Sequence, residues 1–499
     1  MYFLGIDSGT QSTKAIVLDL ESGTILASGH HAYGLIDGLP SGHLEQHPQT
    51  WVEAVDHCVR QCLEKLGAER AKISGIGVSG QQHGLVALDA NDRPVRPAKL
   101  WCDTSTQPQC AQIAHEFGGH PGIIALAGNA MLPGYTIPKL LWMKQNEPDN
   151  FAKTTSILLP HDYINFWLSG VKRMEYGDAS GMGILNVRTR QWCQELCDYI
   201  DPRVLSMLPH LGSSRAVHGR LRADLAKNWG LSENVIISAG GGDNMMGAIG
   251  TGNIKPGVIT ASFGTSGTLY GVAASPVVDG QGEVAAFCDS TDQWLPLVCT
   301  MNVTVVTEQV RAMYGWDLTQ LEAAVHSAPP GAEGVIFLPY LNGERTPNLP
   351  SGTGVLHGLR PGNMTPENIA RAAVEGATLG LAYGLKRFRD LGMSPAEIRL
   401  TGGGSKSAVW RQIAADCFNA EVVTLSTSEG AALGAAIQAA YAQANEGGEK
   451  ISYEELCGRL VTLDESTRCR PDASKAANYA AQLDRQMELT NRLNQAGWL

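Results

Sequence analysis

Val235-Ile-Ile-Ser-Ala-Gly-Gly-Gly-Asp243-Asn244 is the stretch on which the fold turns. Its branched and small residues, Val235, Ile236, Ile237 and Ser238, predict a buried strand. Gly240, Gly241 and Gly242 end that strand, allow a sharp turn and leave room for a ligand. Asp243 then stands at the strand tip beside Asn244, and Met245–Gly250 opens a helix of small residues. In open α/β sheets, ligands bind beyond the carboxyl ends of strands. Asp243 is therefore placed where a general base is useful. A competing reading makes it only a helix cap, which Asp does well.

Working outward, Ile73-Ser-Gly-Ile-Gly-Val78 predicts a second strand, ending in Ser79-Gly-Gln-Gln82-His83-Gly84. Donors and acceptors between glycines suit sugar hydroxyls, which need directional hydrogen bonds. Upstream, Phe3-Leu-Gly-Ile-Asp7-Ser-Gly-Thr10-Gln-Ser-Thr13-Lys14-Ala-Ile-Val-Leu-Asp19 predicts a β-hairpin with a polar tip. Its amides, hydroxyls and Lys14 can form an anion nest. Asp7 would repel phosphate unless Mg²⁺ sits between them. Leu100-Trp101-Cys-Asp103 adds an aromatic residue and another carboxylate after a strand-like approach. A helix is expected near Pro138, and Asp178–Gly183 reads as a loop.

Downstream the pattern returns. Val258–Tyr270 predicts another hairpin, with Gly264-Thr265-Ser266-Gly267 at its turn and neither acid nor base. Ile398–Thr401 runs into Gly402-Gly403-Gly404-Ser405-Lys-Ser407 and a helix capped by Ser405 or Ser407. Val422–Leu425 leads to Glu429 and another small-residue helix. Each half thus runs hairpin, strand into glycines, strand into small-residue helix, which predicts a diverged duplication: two α/β domains facing one cleft. We place an N-terminal domain at 1–250, carrying an insertion at about 100–230, a C-terminal domain at 251–440, and a peripheral helical tail at 441–499. Thr365 and Pro366 begin a helix that Gly392 stops.

The 499 residues suffice for more than one core, and 43% hydrophobic with 17% charged residues is ordinary for a globular enzyme. A net charge of −11 argues against a nucleic-acid surface. Eleven cysteines without a CxxC pattern predict reduced thiols. The Cys58/Cys62 and Cys193/Cys197 spacings predict packing on helices rather than metal binding. With no leader-like start and no apolar run near the ~20 residues of a membrane span, the expectation is a cytoplasmic protein with no membrane partner.

With these residues collected, the chain resembles the FGGY carbohydrate kinases, within the larger actin-like ATPase fold. The carrying motifs are Gly134-Tyr-Thr-Ile-Pro-Lys139-Leu-Leu-Trp142 and Gly354-Val-Leu-His-Gly358-Leu, followed by Asn368-Ile-Ala-Arg-Ala372-Ala-Val-Glu375. Inside the family, Gly80-Gln-Gln-His83-Gly84, Gly241-Gly-Asp243-Asn244 and Asn342-Gly-Glu344-Arg-Thr346-Pro347 are similar to the xylulose kinases. The resemblance implies two duplicated actin-like, ribonuclease H-like domains and ATP-dependent phosphorylation of D-xylulose to its 5-phosphate. It implies Asp243 as catalytic base, and Gln82, His83, Asp103 and Asn244 as sugar contacts. Asp7 would hold Mg²⁺, with Thr10, Gln11 and Lys14 facing the nucleotide phosphates. Gly264 and Thr265 would line the second phosphate loop, and Gly402, Gly403, Gly404 and Ser407 the adenosine pocket. A homodimer is common among relatives. Kinases for other ketoses or polyols are the nearest alternatives. A non-kinase ATPase of the same fold is the remoter one, since no peptide-binding or DNA-binding module accompanies the halves.

Overall fold

The computed structural model describes residues 1–427 and 429–499. β1 (Tyr2–Ser8) and β2 (Ser12–Asp19) form the predicted hairpin, with Asp7 opposite Lys14. β3 (Ile25–Ala32) extends it antiparallel. α1 (Pro48–Leu66) packs beneath, burying Trp51, Val52, Val55, Cys58, Val59 and Cys62 at helical spacing. Cys58 and Cys62 are core residues, and burial pushes both thiols up to about 12. β4 (Ile73–Gly80) lies parallel to β1. Then follow α2 (Thr136–Asn146), α3 (Pro160–Ser169), β5 (Val217–Arg220) and β6 (Ile236–Ser238). β6 is parallel to β4, and Gly241–Gly242 pairs back onto Ser79 and Gly80 as the seventh strand of the sheet. The order is β5-β6-β4-β1-β2-β3. α4 (Asp243–Gly250) leaves at the carboxyl edge of this sheet.

The second half repeats the plan. β7 (Val258–Phe263) and β8 (Gly267–Gly271) are its hairpin, and β9 (Ala285–Cys288) and β10 (Trp294–Thr300) extend it antiparallel. After α5 (Pro366–Asp390), β11 (Glu397–Thr401) joins β7 in parallel, as β4 joins β1. α6 (Ala408–Phe418), β12 (Glu421–Leu425) and α7 (Gly430–Glu446) complete the unit. The order is β9-β10-β8-β7-β11-β12-β13, the last strand being Leu463–Cys469. Two hairpins, two parallel neighbours and two small-residue helices therefore occupy equivalent places, and this is the duplicated two-domain plan expected from the sequence.

The halves meet through α4 and α7, which pack backbone against backbone. A methyl group on Gly434 would lie 1.8 Å from the Met246 carbonyl oxygen, and one on Gly250 would lie 1.7 Å from that of Gly430. Only glycine permits so close an approach. α7 also packs on β1 and β4, so one helix of the second half is seated on the first sheet.

Three local expectations shift. The helix expected near Pro138 starts at Thr136. Within the loop read at Asp178–Gly183, Tyr176–Ala179 and Ser180–Met182 form short helical turns. The stretch 441–499, read as a helical tail, is not all helix: α7 runs through Tyr441, and Leu463–Cys469 adds an edge strand. That strand has no apolar alternation. It is held by Thr467 Oγ1, which accepts from the Thr424 amide at 3.0 Å, and by Arg468, which pairs with Glu397 and Glu421 at 2.9 and 3.0 Å. Charged edge strands of this kind block further pairing. The final helix, α8 (Ala473–Gln495), packs on α5 and α6.

Candidate active site

Asp243 is the first residue of α4, not its cap: Gly242 holds the cap position with no side-chain bond. Its Oδ1 accepts from the Asn244 amide at 2.7 Å and from Asn244 Nδ2 at 2.9 Å. Among the described residues Oδ2 has no hydrogen-bond donor. Burial first, and the nearby Asp7 charge second, push the carboxyl up to about 7. Asn244 Nδ2 also donates to Gln82 Oε1 at 2.8 Å, and Gln82 Nε2 reaches Met245 Sδ at 3.3 Å. Gln82, Asn244 and Asp243 thus form one hydrogen-bonded set, although 161 sequence positions separate Gln82 from Asp243. β4 and β6 are parallel neighbours, and both chain segments emerge at the same sheet edge.

His83 sits beside this set with φ of 64°. Its ring packs on Tyr135 and Phe287 at centroid distances of 5.2 and 5.5 Å, and Nδ1 is buried with no partner. Burial, with Lys139 and Arg345 nearby, holds it well below the usual imidazole range, so the ring is neutral. Lys139, from the Gly134–Trp142 motif, is fully buried under the loop. Its ammonium donates to the carbonyls of His83 at 3.1 Å, Tyr135 at 2.9 Å and Gly134. This explains the motif: one buried lysine ties the start of α2 to the Ser79–Gly84 loop.

Asp103 does not face the cleft. It is 0% exposed, and both its oxygens are used. Oδ1 accepts from Ser105, and Oδ2 from the Leu44 amide at 2.9 Å and Lys99 Nζ at 3.0 Å. His43, Glu45 and Asp103 converge as metal ligands would, but Lys99 Nζ already stands among them, 3.1 Å from Glu45, as the cation. The sequence could not separate a carboxylate that meets a sugar from one that anchors a lysine.

The hairpin tip lies next to this pocket. Asp7 accepts from Ser79 Oγ at 2.9 Å, and burial raises its carboxyl above the usual range. Lys14 pairs with Glu429, just before α7, at 3.4 Å, so the first hairpin touches the second half. Thr10 Oγ1 donates to Gln81 at 3.2 Å and accepts from Trp101 Nε1 at 2.9 Å. Its hydroxyl is therefore committed to joining the hairpin to Gln81 and Trp101, which leaves its backbone to meet a phosphate. Tyr33 OH donates to the Gly9 carbonyl at 2.7 Å and fixes the turn, while the Gln11 side chain is exposed at its outer edge.

Across the cleft, the Gly264 and Thr265 carbonyls accept from the Thr304 and Val303 amides at 2.9 and 3.0 Å, so the turn is tied to the helix Thr304–Tyr314. Gly402, with φ of 83°, and Gly403 are exposed, and Gly404 is buried against Phe263 and Trp410. Ser407 is the cap of α6, accepting from the Trp410 amide at 3.2 Å and donating to Glu322 at 2.9 Å. Its first duty is thus the helix terminus.

Two groups escaped the sequence reading. Asp178 Oδ2 lies 2.7 Å from His161 Nδ1, and His161 Nε2 lies 3.1 Å from Asp162. The two carboxylates hold this buried imidazole well above its usual range despite the cost of burial. Asp178 in turn adds charge near Asp243. Nothing in sequence spacing links 161, 178 and 243. Arg345 is the second such group.

Models of the FGGY family of carbohydrate kinases match both halves: the N-terminal domain over residues 2–250 and the C-terminal domain over 259–443. The chain belongs to the FGGY family of carbohydrate kinases. As an FGGY kinase it takes ATP as phosphoryl donor and a sugar as acceptor, on the actin-like ATPase fold. It is similar to the "Xylulose kinase" of Haemophilus influenzae, 44% identical over 98% of this chain and all of that one. Among solved structures, a "xyloylose kinase" from Brucella ovis has a TM-score of 0.92 at 29% identity, covering 99% of this FGGY kinase and 100% of the relative. A "gluconate kinase" from Lactobacillus acidophilus follows at 0.90 and 27%, covering 99% and 98%. Fold alone therefore does not separate a ketose acceptor from an aldonate one. No helix among the described residues is long and apolar enough to cross a membrane.

The position of Asp243 sets a pH expectation. Were Asp243 the base it would have to act unprotonated, and burial first and the Asp7 charge second raise its carboxyl to about 7. Sugar kcat/KM should therefore fall below about pH 7, by roughly tenfold per unit, and level off above it. A pH–rate profile that stays flat down to pH 5 would sink the assignment.

Proposed function

We propose that this chain phosphorylates D-xylulose to D-xylulose 5-phosphate, with Asp243 as general base. The observation that carries the reading is the hydrogen-bonded set Gln82–Asn244–Asp243, beside neutral His83 and next to the Asp7–Lys14 hairpin tip. The near full-length similarity to a protein named xylulose kinase selects the sugar within the family. Gln82, His83 and Asn244 supply donors and acceptors for the hydroxyls of an open-chain ketose. The acceptor hydroxyl attacks the γ-phosphorus, the bond to the β–γ bridging oxygen breaks, and Asp243 takes the hydroxyl proton. Backbone groups of the two hairpin turns, with Lys14, bind the phosphates, while Gly402, Gly403 and Gly404 border the adenosine.

Asp7 fits a Mg²⁺ ligand. Burial raises its own carboxyl, and its charge adds to the burial that raises Asp243, so a cation held by Asp7 would stabilise the ionised form of both. When bound, Mg²⁺ would neutralise the triphosphate. The proposed compartment is the cytoplasm; a homodimer is common among relatives.

Coupled ADP release across a sugar panel tests the assignment. With ATP and Mg²⁺, D-xylulose should outrun ribulose, glycerol and gluconate. A clear preference for one of those three moves the chain to a sister substrate, and no sugar response at all removes the kinase reading.

A further inference from the structure

Arg345 belongs to the second half, yet its guanidinium lies over the first. Its Cζ stands 5.6 Å from the centre of the Trp101 ring, and Nη2 comes within 4.0 Å of where a side chain on Gly134 would start. Its charge is felt by His83 and Tyr135 in the pocket wall. The segment that carries it is firmly held. Glu344, 4% exposed, accepts from the Met301 amide at 2.6 Å, the Arg345 amide at 2.8 Å and Asn302 Nδ2 at 3.1 Å. Asn302 also binds the Gly343 carbonyl and the Asn342 amide.

The guanidinium itself is unspent. Among the described residues no carboxylate lies within ion-pairing distance, and its side-chain bond is to Cys299 Sγ at 3.9 Å, a weak acceptor. Five N–H donors in a fixed fork, half-buried and with only a thiol as side-chain acceptor, are open to the oxygens of a ligand. A latch between the halves through Trp101 would not need that fork, because ring stacking engages only the face of the guanidinium.

We propose that Arg345 is a specificity-determining residue that donates hydrogen bonds across the cleft to oxygens of the acyclic sugar. This deepens the sugar-kinase reading and rests on it. The first half supplies one wall of the pocket through Gln82, His83 and Asn244. Arg345 supplies the facing donor, so the sugar is gripped from both halves at once. Binding of the sugar then favours the arrangement in which the two halves are near each other, which links recognition to exclusion of water.

The test is steady-state kinetics of Arg345→Ala, Arg345→Gln and Arg345→Lys with D-xylulose and Mg-ATP. KM for sugar should rise about 10–100-fold in the Ala and Gln variants, the scale of one or two charge-assisted hydrogen bonds. Lys should recover part of this, and KM for ATP should stay within about twofold of wild type. Quenching of tryptophan fluorescence by sugar, in the absence of ATP, should weaken in parallel. Sugar KM within about threefold of wild type in a folded Ala or Lys variant overturns the proposal. So does a fall in kcat at unchanged sugar KM, which would place Arg345 at the transferred phosphoryl group instead. If wild type rejects D-xylulose but accepts another sugar, the substrate assignment fails and the same variants decide Arg345 on that sugar. A wild type that accepts none overturns both.

Discussion

Asp243→Asn should fold, bind nucleotide and turn over at least about 10²-fold more slowly than wild type, with about 10⁴-fold the upper end for general-base help. The amide keeps the size of the carboxylate and can still accept the Asn244 amide proton on one oxygen. It cannot take a proton from the sugar hydroxyl. Because proton transfer belongs to the transition state, the loss should fall on kcat more than on sugar KM. Asp243→Ala should be comparably slow. Nucleotide binding should survive in both variants, since the hairpin turns lie on other segments. His83→Ala is the contrast: its ring is neutral and packed on Tyr135 and Phe287, so its removal should mainly raise sugar KM. The cap reading predicts the reverse for Asp243→Asn, because Asn caps a helix as well as Asp. Near-normal turnover of a folded Asp243→Asn enzyme would decide for that reading, although Gly242 rather than Asp243 holds the cap position.

Gly434→Ala should damage the contact between the two halves. The new carbon would lie 1.8 Å from the Met246 carbonyl oxygen, inside a helix whose own hydrogen bonds fix that oxygen. α4 and α7 must move apart, which loosens the contact between the halves and shifts the helix that begins at Asp243. Overpacking of this kind costs roughly 1–3 kcal/mol, and more where backbone is the obstacle. At about 2 °C per kcal/mol for a large chain, a cost of ~3 kcal/mol is a fall of about 6 °C in Tm. Activity should fall with it, since Asp243 rides on the displaced helix. Gly380→Ala is the internal control. It lies in α5 with nothing within 4 Å of the added carbon, so it should be neutral or slightly stabilising. Equal melting of Gly434→Ala and wild type would show that the two helices separate freely.

Much of this molecule was legible in its sequence because the decisive signals are local. Strand-into-glycine patterns need only a buried strand and a ligand beyond its end, and both conditions write themselves into adjacent residues. The stretch Val235–Asn244, the hairpin at Asp7–Lys14 and the second hairpin at Gly264–Gly267 each fold where they were read. Their order, repeated twice, was enough to fix two facing α/β sheets and the strand ends at which a cleft must lie. The caps of α5 and α6, at Thr365 and Ser407, were equally local.

Pairing over distance was not legible, because only the closed tertiary structure brings those partners together. Asp103 and Asp243 look alike as carboxylates after strands. Lys99, four residues before Asp103 and folded under it, turns the first into an anchor, while glycines and a free oxygen leave the second facing the cleft. The strand Leu463–Cys469 has no strand-like pattern of its own and exists because Glu397, Glu421 and Thr424 receive it. Asp178 and His161 meet beneath the pocket, and Arg345 arrives there from the other half. The sequence by itself determined the two sheets, their duplication and the carboxylate at the strand tip, since those depend on neighbours in the chain. The tertiary structure decided which charges are spent on one another and which remain for a ligand, since that depends on burial and on partners hundreds of residues away.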